Sequence, residues 1–283
     1  MDERDLVHVA TYRRRVRATT ASIWENVLDW EHLPWLHHST FSDVRLIAAR
    51  HDGWRAAVSL TAAAGRRIEI ETRLEPEAHR YLTLSTEGAG PATAIWTHLR
   101  PADGGHTDIE VRFLVPGVAG AAVKAVGDAY VQLYAQLWDE DEGMMVRRER
   151  LLARPAGRAT VGEASIDLGP LADVRARLPL ELELGGGSYR LVDLDGRIVA
   201  HATVCPHRLG PLGGAPIEGG CLRCPWHGYR FDLRTGRGRD RRDLRLDPAP
   251  EVRVDPRTAR VTVLTAAAWP GDEAREGGGA RPR

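Results

Sequence analysis

Two short cysteine–histidine segments constrain this chain of 283 residues more than any other feature. With sixteen residues between them, they are Cys205-Pro206-His207 and Cys224-Pro225-Trp226-His227. The one remaining cysteine, Cys221, also lies in this region, so all three thiols fall within twenty residues. Such clustering is typical of a metal site rather than of a secreted disulfide framework. Because each segment offers one thiolate and one imidazole, the pattern indicates iron or zinc.

The spacing resembles that of the Rieske ferredoxin-like family, and the residues after His227, Gly228 to Asp232 and Thr235-Gly236, extend the resemblance over roughly residues 160–265. In a Rieske [2Fe–2S] centre, two cysteines hold one iron and two histidines hold the other. The resemblance therefore implies that the first iron is bound by Cys205 and Cys224 and the second by His207 and His227. A structural zinc site that draws on Cys221 is the alternative, although zinc spacings usually place C-x₂₋₄-C before H-x₃₋₅-H.

A second pair of histidines, His32 and His37, lies near the start of the chain in the segment ENVLDWEHLPWLH of residues 25–37. A carboxylate, Asp29, precedes the first histidine by three residues. Pro34 should break any helix between the histidines, so that a loop or an irregular turn can aim both imidazoles inward. This set of donors indicates a second metal site.

The segment resembles the E-N-x-x-D-x-x-H-x₄-H signature of Rieske non-haem iron oxygenases. The resemblance implies that His32 and His37 bind a mononuclear iron, and that Asp29 bridges towards the Rieske histidine of a neighbouring subunit in a homotrimer. It also implies a START-like helix-grip catalytic domain. The usual oxygenase subunit has its Rieske domain first, so the order here is reversed, and the first domain is shorter than that family's norm. A START-like domain without a metal is the alternative.

The third ligand of such an iron site is a carboxylate. An acidic run at residues 139–142 lies on the predicted closing helix, and helix phase distinguishes its members. The neighbours of Asp141 three and four positions away are all apolar, namely Leu137, Trp138, Met144 and Met145. Those of Asp139 are mostly polar or small, so Asp141 is predicted to face inward and to be the third ligand. The family often has a Glu-Asp pair here, as at Glu140-Asp141. The other three acids are expected to form an ordinary helix surface.

Hydrophobic periodicity predicts an α+β chain of two domains. Residues 1–152 should form the helix-grip catalytic domain. It should contain a strand at residues 6–17, a short helix opened by a capping box at Ser22–Glu25, six further strands and a closing helix at 119–152. The six strands are expected at Val44–Ala49, Trp54–Thr61, Arg67–Leu74, Tyr81–Thr86, Thr93–Leu99 and Thr107–Val115. A linker at 153–162, a small all-β Rieske domain at 163–268 and a disordered tail at 269–283 should follow.

Composition excludes several other classes of function. Lysine and arginine total 39 and are balanced by 39 acidic residues, whereas a nucleic-acid-binding protein normally carries a basic excess. No run approaches the ~20 apolar residues of a membrane span, and the first residues have no apolar signal-peptide core. We therefore expect a cytoplasmic protein that binds neither nucleic acid nor membrane.

Together these features predict the terminal component of an oxygenase. It would use O₂ and electrons from an external reductase or ferredoxin to hydroxylate or oxidatively demethylate a small, largely apolar organic substrate. An external donor is expected because nothing in the sequence resembles a flavin or nicotinamide site. The competing hypothesis is a START-like ligand-binding or cyclase domain fused to a Rieske electron-transfer module. The oxygenase predicts three iron atoms per chain, and the competing hypothesis predicts two.

Overall fold

The computed structural model describes residues 6–62, 65–87, 92–153, 164–240 and 243–265. The chain divides into two units, Met1–Ala153 and Arg154–Arg283. The predicted linker, apart from Ala153, and the predicted tail at 269–283 lie outside the described residues.

The first unit is built on a seven-stranded antiparallel sheet with the strand order β1-β7-β6-β5-β4-β3-β2. The strands are β1 (Leu6–Val16), β2 (Phe41–Arg50), β3 (Gly53–Leu60), β4 (Arg67–Glu75), β5 (Arg80–Thr86), β6 (Thr93–Ala102) and β7 (His106–Pro116). All seven correspond to the strands expected from the sequence. Alternate residues of β7, including Ile109, Val111 and Phe113, are buried, as expected when one face of a sheet is covered.

The helices of this unit are α1 (Thr20–Val27), α2 (Leu33–Leu36) and the long α3 (Ala122–Leu152), and short 3-10 turns occur at Trp30–His32, Pro76–Ala78 and Asp103–Gly105. Trp138 of α3 is buried against the sheet in one cluster with Phe113. The closest approach is at Gly127, where a Cβ atom would lie 2.4 Å from the Val9 carbonyl oxygen. A large antiparallel sheet closed by one long helix is the Bet v1/START-like helix-grip fold, which confirms the predicted fold class.

The N-terminus of α1 differs from the prediction. The helix begins at Thr20, and the side chain of Thr19 caps it by accepting a hydrogen bond from the Ser22 N–H at 3.2 Å. The predicted capping box at Ser22–Glu25 is therefore wrong. The Ser22 hydroxyl instead donates to Glu149 of α3, and this carboxylate also accepts the Thr19 N–H at 3.0 Å. The cap is thus completed by a side chain that is distant in sequence.

Pro34 also acts differently from the prediction. It lies in the first turn of α2, where its missing N–H removes no helical hydrogen bond. His32 and His37 are the residues that flank this one-turn helix. The expected break between the two histidines is therefore wrong, because the one-turn helix α2 connects them.

The second unit has three small antiparallel sheets with the orders β11-β10-β9, β12-β13-β14 and β15-β16-β8. Its elements are β8 (Ser165–Pro170), α4 (Leu171–Ala176), β9 (Leu180–Leu184), β10 (Gly187–Leu194), β11 (Arg197–Ala202), β12 (Ile217–Glu218), β13 (Cys221–Arg223), β14 (Arg230–Asp232), β15 (Glu251–Val254) and β16 (Arg260–Leu264). Val174, Leu191 and Val261 are among its core residues. This small β domain confirms the predicted class, although the short helix α4 was not expected in an all-β domain.

Candidate metal centres

Two loops of the second unit have the same backbone frame, one starting at Cys205 and the other at Cys224. In each loop the cysteine N–H donates to the carbonyl oxygen five residues later, at 2.9 Å in the first and 2.8 Å in the second. In each, the N–H four residues later donates back to the cysteine carbonyl, at 3.0 and 2.9 Å. The frames match although the histidine comes two residues after the cysteine in the first loop and three in the second.

The sulfur side of this site is buried, with Cys205 and Cys224 exposing 0% and 1% of their surfaces. The centroids of the His207 and His227 rings lie 4.5 Å apart. A hydrogen bond between the two thiol groups lowers the pKa of Cys224 and raises that of Cys205. The pair therefore favours one thiolate, which is the form that binds a metal.

The two cysteine loops also approach each other closely. A Cβ atom at Gly210 would lie 2.8 Å from Cys224 Sγ and 3.2 Å from the Trp226 ring, so this position requires glycine. Cys221 lies outside both loops on β13, where it pairs with Asp232 and is partly rather than fully buried. Cys221 is therefore not one of the cysteines that the two loops present as candidate ligands.

A second group of donors lies in the first unit. Among the described residues, the one group of three or more potential ligand atoms within 4.8 Å of one another belongs to His32, His37 and Asp141. In the second unit, the two cysteines and the two histidines match the donors of a two-iron cluster in which the cysteines hold one iron and the histidines hold the other.

The distances within the triad suit a single ion. His37 Nε2 lies 3.1 Å from Asp141 Oδ1, and His32 Nε2 lies 3.5 Å from the same oxygen. The two imidazole rings are 5.0 Å apart between centroids. Ligand atoms about 2.1 Å from one ion lie roughly 3.0–3.4 Å apart, so two nitrogens and one carboxylate oxygen are already near that spacing.

The charges of the triad also fit a cation. Asp141 Oδ1 is buried, and the Nε2 atoms of His37 and His32 lie beside it. Burial alone would raise the pKa of Asp141, but the charges of His37 and His32 outweigh it and lower this pKa. Burial alone would lower the pKa of His37, but Asp141 and Glu140 raise it to about 8. A bound metal ion would take the place of the histidine protons and balance the charge of this carboxylate.

The acidic run on α3 is divided between the two faces of the helix. Asp141 faces the two histidines, as helix phase predicted. Asp139 is largely exposed and forms an ion pair with Arg14. The expectation that the other three acids form an ordinary surface is wrong for Glu142, which exposes 3% of its side chain. Arg14 and Arg17 of the β1 region both pair with this buried carboxylate.

The expectation is also wrong for Glu140. Its Oε2 lies 2.6 Å from His37 Nδ1, on the side of the imidazole opposite Asp141. Because an ionised carboxylate can only accept, the His37 Nδ1–H donates this hydrogen bond. Glu140 is therefore a residue of the site that the sequence analysis assigned to the surface.

The other residues of the E-N-x-x-D segment also divide into one that lies outside the site and two that line it. Glu25 is half-exposed and pairs with Arg148 at 2.8 Å, outside the site. Asn26 and Asp29 each expose 7% and line the same cavity as the triad. The Asn26 side chain also lies close enough to Asp141 to help lower its pKa, after the larger contributions of burial and the histidines. Asn26 is thus a further site residue to which the sequence analysis gave no role.

Two adjoining cavities lie between the sheet and α3. The smaller, about 130 Å³, is lined by the triad together with Asn26 and Asp29. The larger, about 590 Å³, extends along α3 towards Ala129 and along β5 towards Glu87. The residues that line both are Phe41, Ile70, Thr83, Tyr134 and Leu137. The triad is therefore located beside a largely apolar chamber of the size that binds small organic ligands.

Comparison with known proteins assigns the second unit. The Rieske [2Fe-2S] domain family matches residues 165–249, so the second unit is a Rieske domain, and this indicates a [2Fe–2S] cluster. The oxygenase component of dicamba O-demethylase from Stenotrophomonas maltophilia is 34% identical over 31% of this chain and 26% of its own length. Apoptosis-inducing factor 3 from Mus musculus is 43% identical over 20% of this chain. The chain spans only 9% of the length of that relative.

A Ralstonia ferredoxin component of naphthalene 1,2-dioxygenase/salicylate 5-hydroxylase systems is 29% identical over 25% of this chain and 69% of its own length. Among solved structures, the Zhui aromatase/cyclase from a Streptomyces species superimposes with a TM-score of 0.44 and 14% identity, over 52% of this chain and 98% of its own. The ferredoxin of carbazole 1,9a-dioxygenase from Nocardioides aromaticivorans does so with a TM-score of 0.30 and 22% identity, over 35% and 96%. None of the described helices combines the length and apolar character that a membrane span requires.

Proposed function

We propose that this chain is an oxygenase component of the Rieske non-haem iron type. In this proposal Cys205 and Cys224 hold one iron of the cluster, and His207 and His227 hold the other. A mononuclear Fe(II) is held by His32, His37 and Asp141. The observation that carries the proposal is the convergence of two imidazole nitrogens and one carboxylate oxygen beside an apolar chamber, on a chain that also has a Rieske domain.

The triad has the donor set of a facial iron site, two histidines and one carboxylate, which leaves other positions open. When bound, this iron would supply the positions at which O₂ is activated, and the cluster would supply single electrons. The chain's own contribution is a buried setting. His32 and His37 expose 4% and 2% of their surfaces, so the two imidazoles are largely shielded from bulk water.

The substrate is proposed to be a small, largely apolar organic molecule that occupies the larger cavity. Its wall is formed mainly by aliphatic and aromatic side chains of the sheet and of α3, among them Ile68, Ile95 and Leu133. Thr83, Ser85 and Thr93 add hydroxyl groups along β5 and β6, which can orient oxygen atoms of a substrate. Hydroxylation and oxidative demethylation both suit such a chamber.

The reaction needs an electron donor, and we propose an external reductase or ferredoxin. The similarity to an oxygenase component and to a ferredoxin component supports this pairing. We further propose that Asp29 links the two metal centres across neighbouring subunits of a homotrimer. Its burial beside His32 in the triad cavity supports a role at the iron site.

The experiment that tests the proposal is an iron count on the purified full chain, together with the electron paramagnetic resonance signal of the reduced cluster. We expect three iron atoms per chain. Asp141→Ala or His32→Ala should lower the count to two, keep the cluster signal and abolish oxygenation. Asp139→Ala, which removes an exposed carboxylate two residues away, is the matched control and should keep three.

A START-like ligand-binding or cyclase domain fused to a Rieske module is the competing function. The deep chamber beside α3 is compatible with it, because such a cavity can bind a ligand without a metal. This alternative requires two iron atoms per chain in the unaltered protein. A count of two under conditions of excess Fe(II) would therefore contradict the oxygenase.

A further inference from the structure

Glu140 and Asp141, neighbours in sequence, contact opposite nitrogens of one imidazole. Asp141 Oδ1 lies 3.1 Å from His37 Nε2, and Glu140 Oε2 lies 2.6 Å from His37 Nδ1. A distance of 2.6 Å is short for a hydrogen bond from nitrogen to oxygen and is typical of a charge-assisted one. In its neutral, metal-binding form, a ring that keeps its proton on Nδ1 directs the Nε2 lone pair towards the centre of the triad.

Glu140 is itself held in place. Its second oxygen, Oε1, accepts a hydrogen bond from Gln136 Nε2 at 3.2 Å. Gln136 also donates to Ser39 Oγ at 2.6 Å. Gln136 and Glu140 are four residues apart on α3, so they lie on one face of the helix, one turn apart. Ser39 follows His37 by two residues, so the segment from His37 to Ser39 is bound to α3 at two points.

We propose that Glu140 is a positioning residue for the mononuclear metal site. It fixes the tautomer and the ring orientation of His37, and thereby presents Nε2 to the ion held with His32 and Asp141. A carboxylate that accepts the outer N–H of a metal-bound imidazole also makes the ligand more basic. The inference rests on the proposed function, because it requires that the triad binds a metal.

A purely structural role for this contact would have small consequences. Glu140 exposes 25% of its side chain, and partly exposed ion pairs contribute little to stability. The neighbouring Asp139 forms an exposed ion pair with Arg14 and does not contact the triad. Glu140 therefore contacts a proposed ligand histidine, whereas Asp139 does not. Asp139 is the matched control.

The test measures Co²⁺ binding to the full chain with its cluster in place, using Co²⁺ as the probe for the triad. Glu140→Ala should weaken Co²⁺ binding by about 10- to 100-fold, the usual range when such a partner is removed. Glu140→Gln should recover most of the loss, because its amide oxygen can accept the same Nδ1–H. Calorimetry gives the affinity. The paramagnetic resonance of bound Co²⁺, recorded with the cluster oxidised and silent, reports the ligand geometry.

The outcomes separate this inference from the proposed function. Weaker Co²⁺ binding and an altered Co²⁺ signal in Glu140→Ala, with Asp139→Ala unchanged, would support the positioning role. If the unaltered chain binds Co²⁺ and His37→Ala does not, but Glu140→Ala matches the unaltered chain in affinity and signal, the positioning role is wrong. If the unaltered chain binds no Co²⁺ at the triad, the proposed function fails first. Circular dichroism of each variant verifies that the fold is retained.

Discussion

Leu209 and Gly228 occupy equivalent positions in the two cysteine loops and share a left-handed backbone, with φ of 62° and 68°. Each follows its cysteine by four residues and donates its N–H to that cysteine's carbonyl oxygen. A left-handed conformation costs a non-glycine residue roughly 1–2 kcal/mol, whereas glycine adopts it freely. The first loop therefore keeps Leu209 in a backbone conformation that a leucine disfavours.

This difference predicts that substitutions at the two positions change the stability of the protein differently. Gly228→Ala should lower the free energy of unfolding of the cluster-loaded protein by about 1–2 kcal/mol, because it adds the left-handed penalty. Leu209→Gly should change it by less than about 1 kcal/mol, because relief of that penalty offsets the lost side-chain contacts and the greater freedom of the unfolded chain. Chemical denaturation followed by far-ultraviolet circular dichroism measures both. Equal losses in the two variants would contradict the account.

The assignment of the cluster ligands predicts a sharp difference between two cysteines that are three residues apart. Cys224→Ala should abolish the visible absorption of the Rieske cluster, because it removes a buried thiolate from a loop. Cys221→Ser should leave the absorption largely intact, because Cys221 lies on β13 outside the loops. Loss of the cluster in Cys221→Ser, with retention in Cys205→Ala, would show that the ligand set is wrong.

The bridging role proposed for Asp29 predicts a kinetic defect without loss of either metal. Asp29→Asn keeps the shape of the side chain and removes its charge, so both centres should load normally. Reoxidation of the reduced cluster by O₂ in the presence of substrate should slow by at least about tenfold, since mutations of such outer-shell partners typically cost 10- to 100-fold. Stopped-flow absorption after one-equivalent reduction measures the rate. Reoxidation at the rate of the unaltered protein would exclude the bridge.

The buried ion pairs of Glu142 predict a large and pH-dependent contribution to stability. Glu142→Ala should lower the free energy of unfolding by about 1–3 kcal/mol at pH 7, because Arg17 and the partly buried Arg14 both lose this carboxylate. Burial alone would raise the pKa of Glu142, but Arg17 and Arg14 outweigh it, and the pKa is lowered. A lowered pKa gives stability that is present above the unfolded value, near 4.3, and is lost as the pH falls through the folded value.

The measurement is denaturant unfolding of the unaltered chain and of Glu142→Ala between pH 7 and pH 3. The difference between them should shrink below about pH 4.3. Asp139→Ala, an exposed partner of the same Arg14, should cost less than about 1 kcal/mol throughout. A loss in Glu142→Ala that stays constant down to pH 3 would show that the effect is packing rather than charge.

The features that could be predicted from the sequence are those set by contacts between residues close together in the chain. The strands of the first unit follow from alternation within each run. Asp141 follows from the residues one helical turn away on either side. Both signals are contained in at most about a dozen consecutive residues, so they can be recognised without knowledge of the tertiary structure.

The errors at Glu142, at the start of α1 and at Glu140 have the opposite property, because they depend on residues that are distant in sequence. Glu142 is buried because its arginine partners come from the β1 region, more than a hundred residues earlier. Thr19 rather than Ser22 caps α1, and Glu149 of the distant α3 completes that end of the helix. Glu140 belongs to the site because His37, which is more than a hundred residues earlier, contacts that turn of α3. No pattern in neighbouring residues carries these contacts.

The arrangement of α3 also restricts how its length can change. Gly127 packs against β1, and Tyr134 and Leu137 line the chamber. Further along the helix, Asp141 faces the histidines, and Glu149 accepts the Thr19 N–H at the start of α1. Each added residue turns the following part of a helix by about 100° and advances it by about 1.5 Å. One insertion between Leu137 and Asp141 would therefore rotate the carboxylate away from the histidines while the chamber wall stayed in place. Evolutionary insertions and deletions should fall before Gly127 or after Glu149, and the stretch between them should keep a constant length.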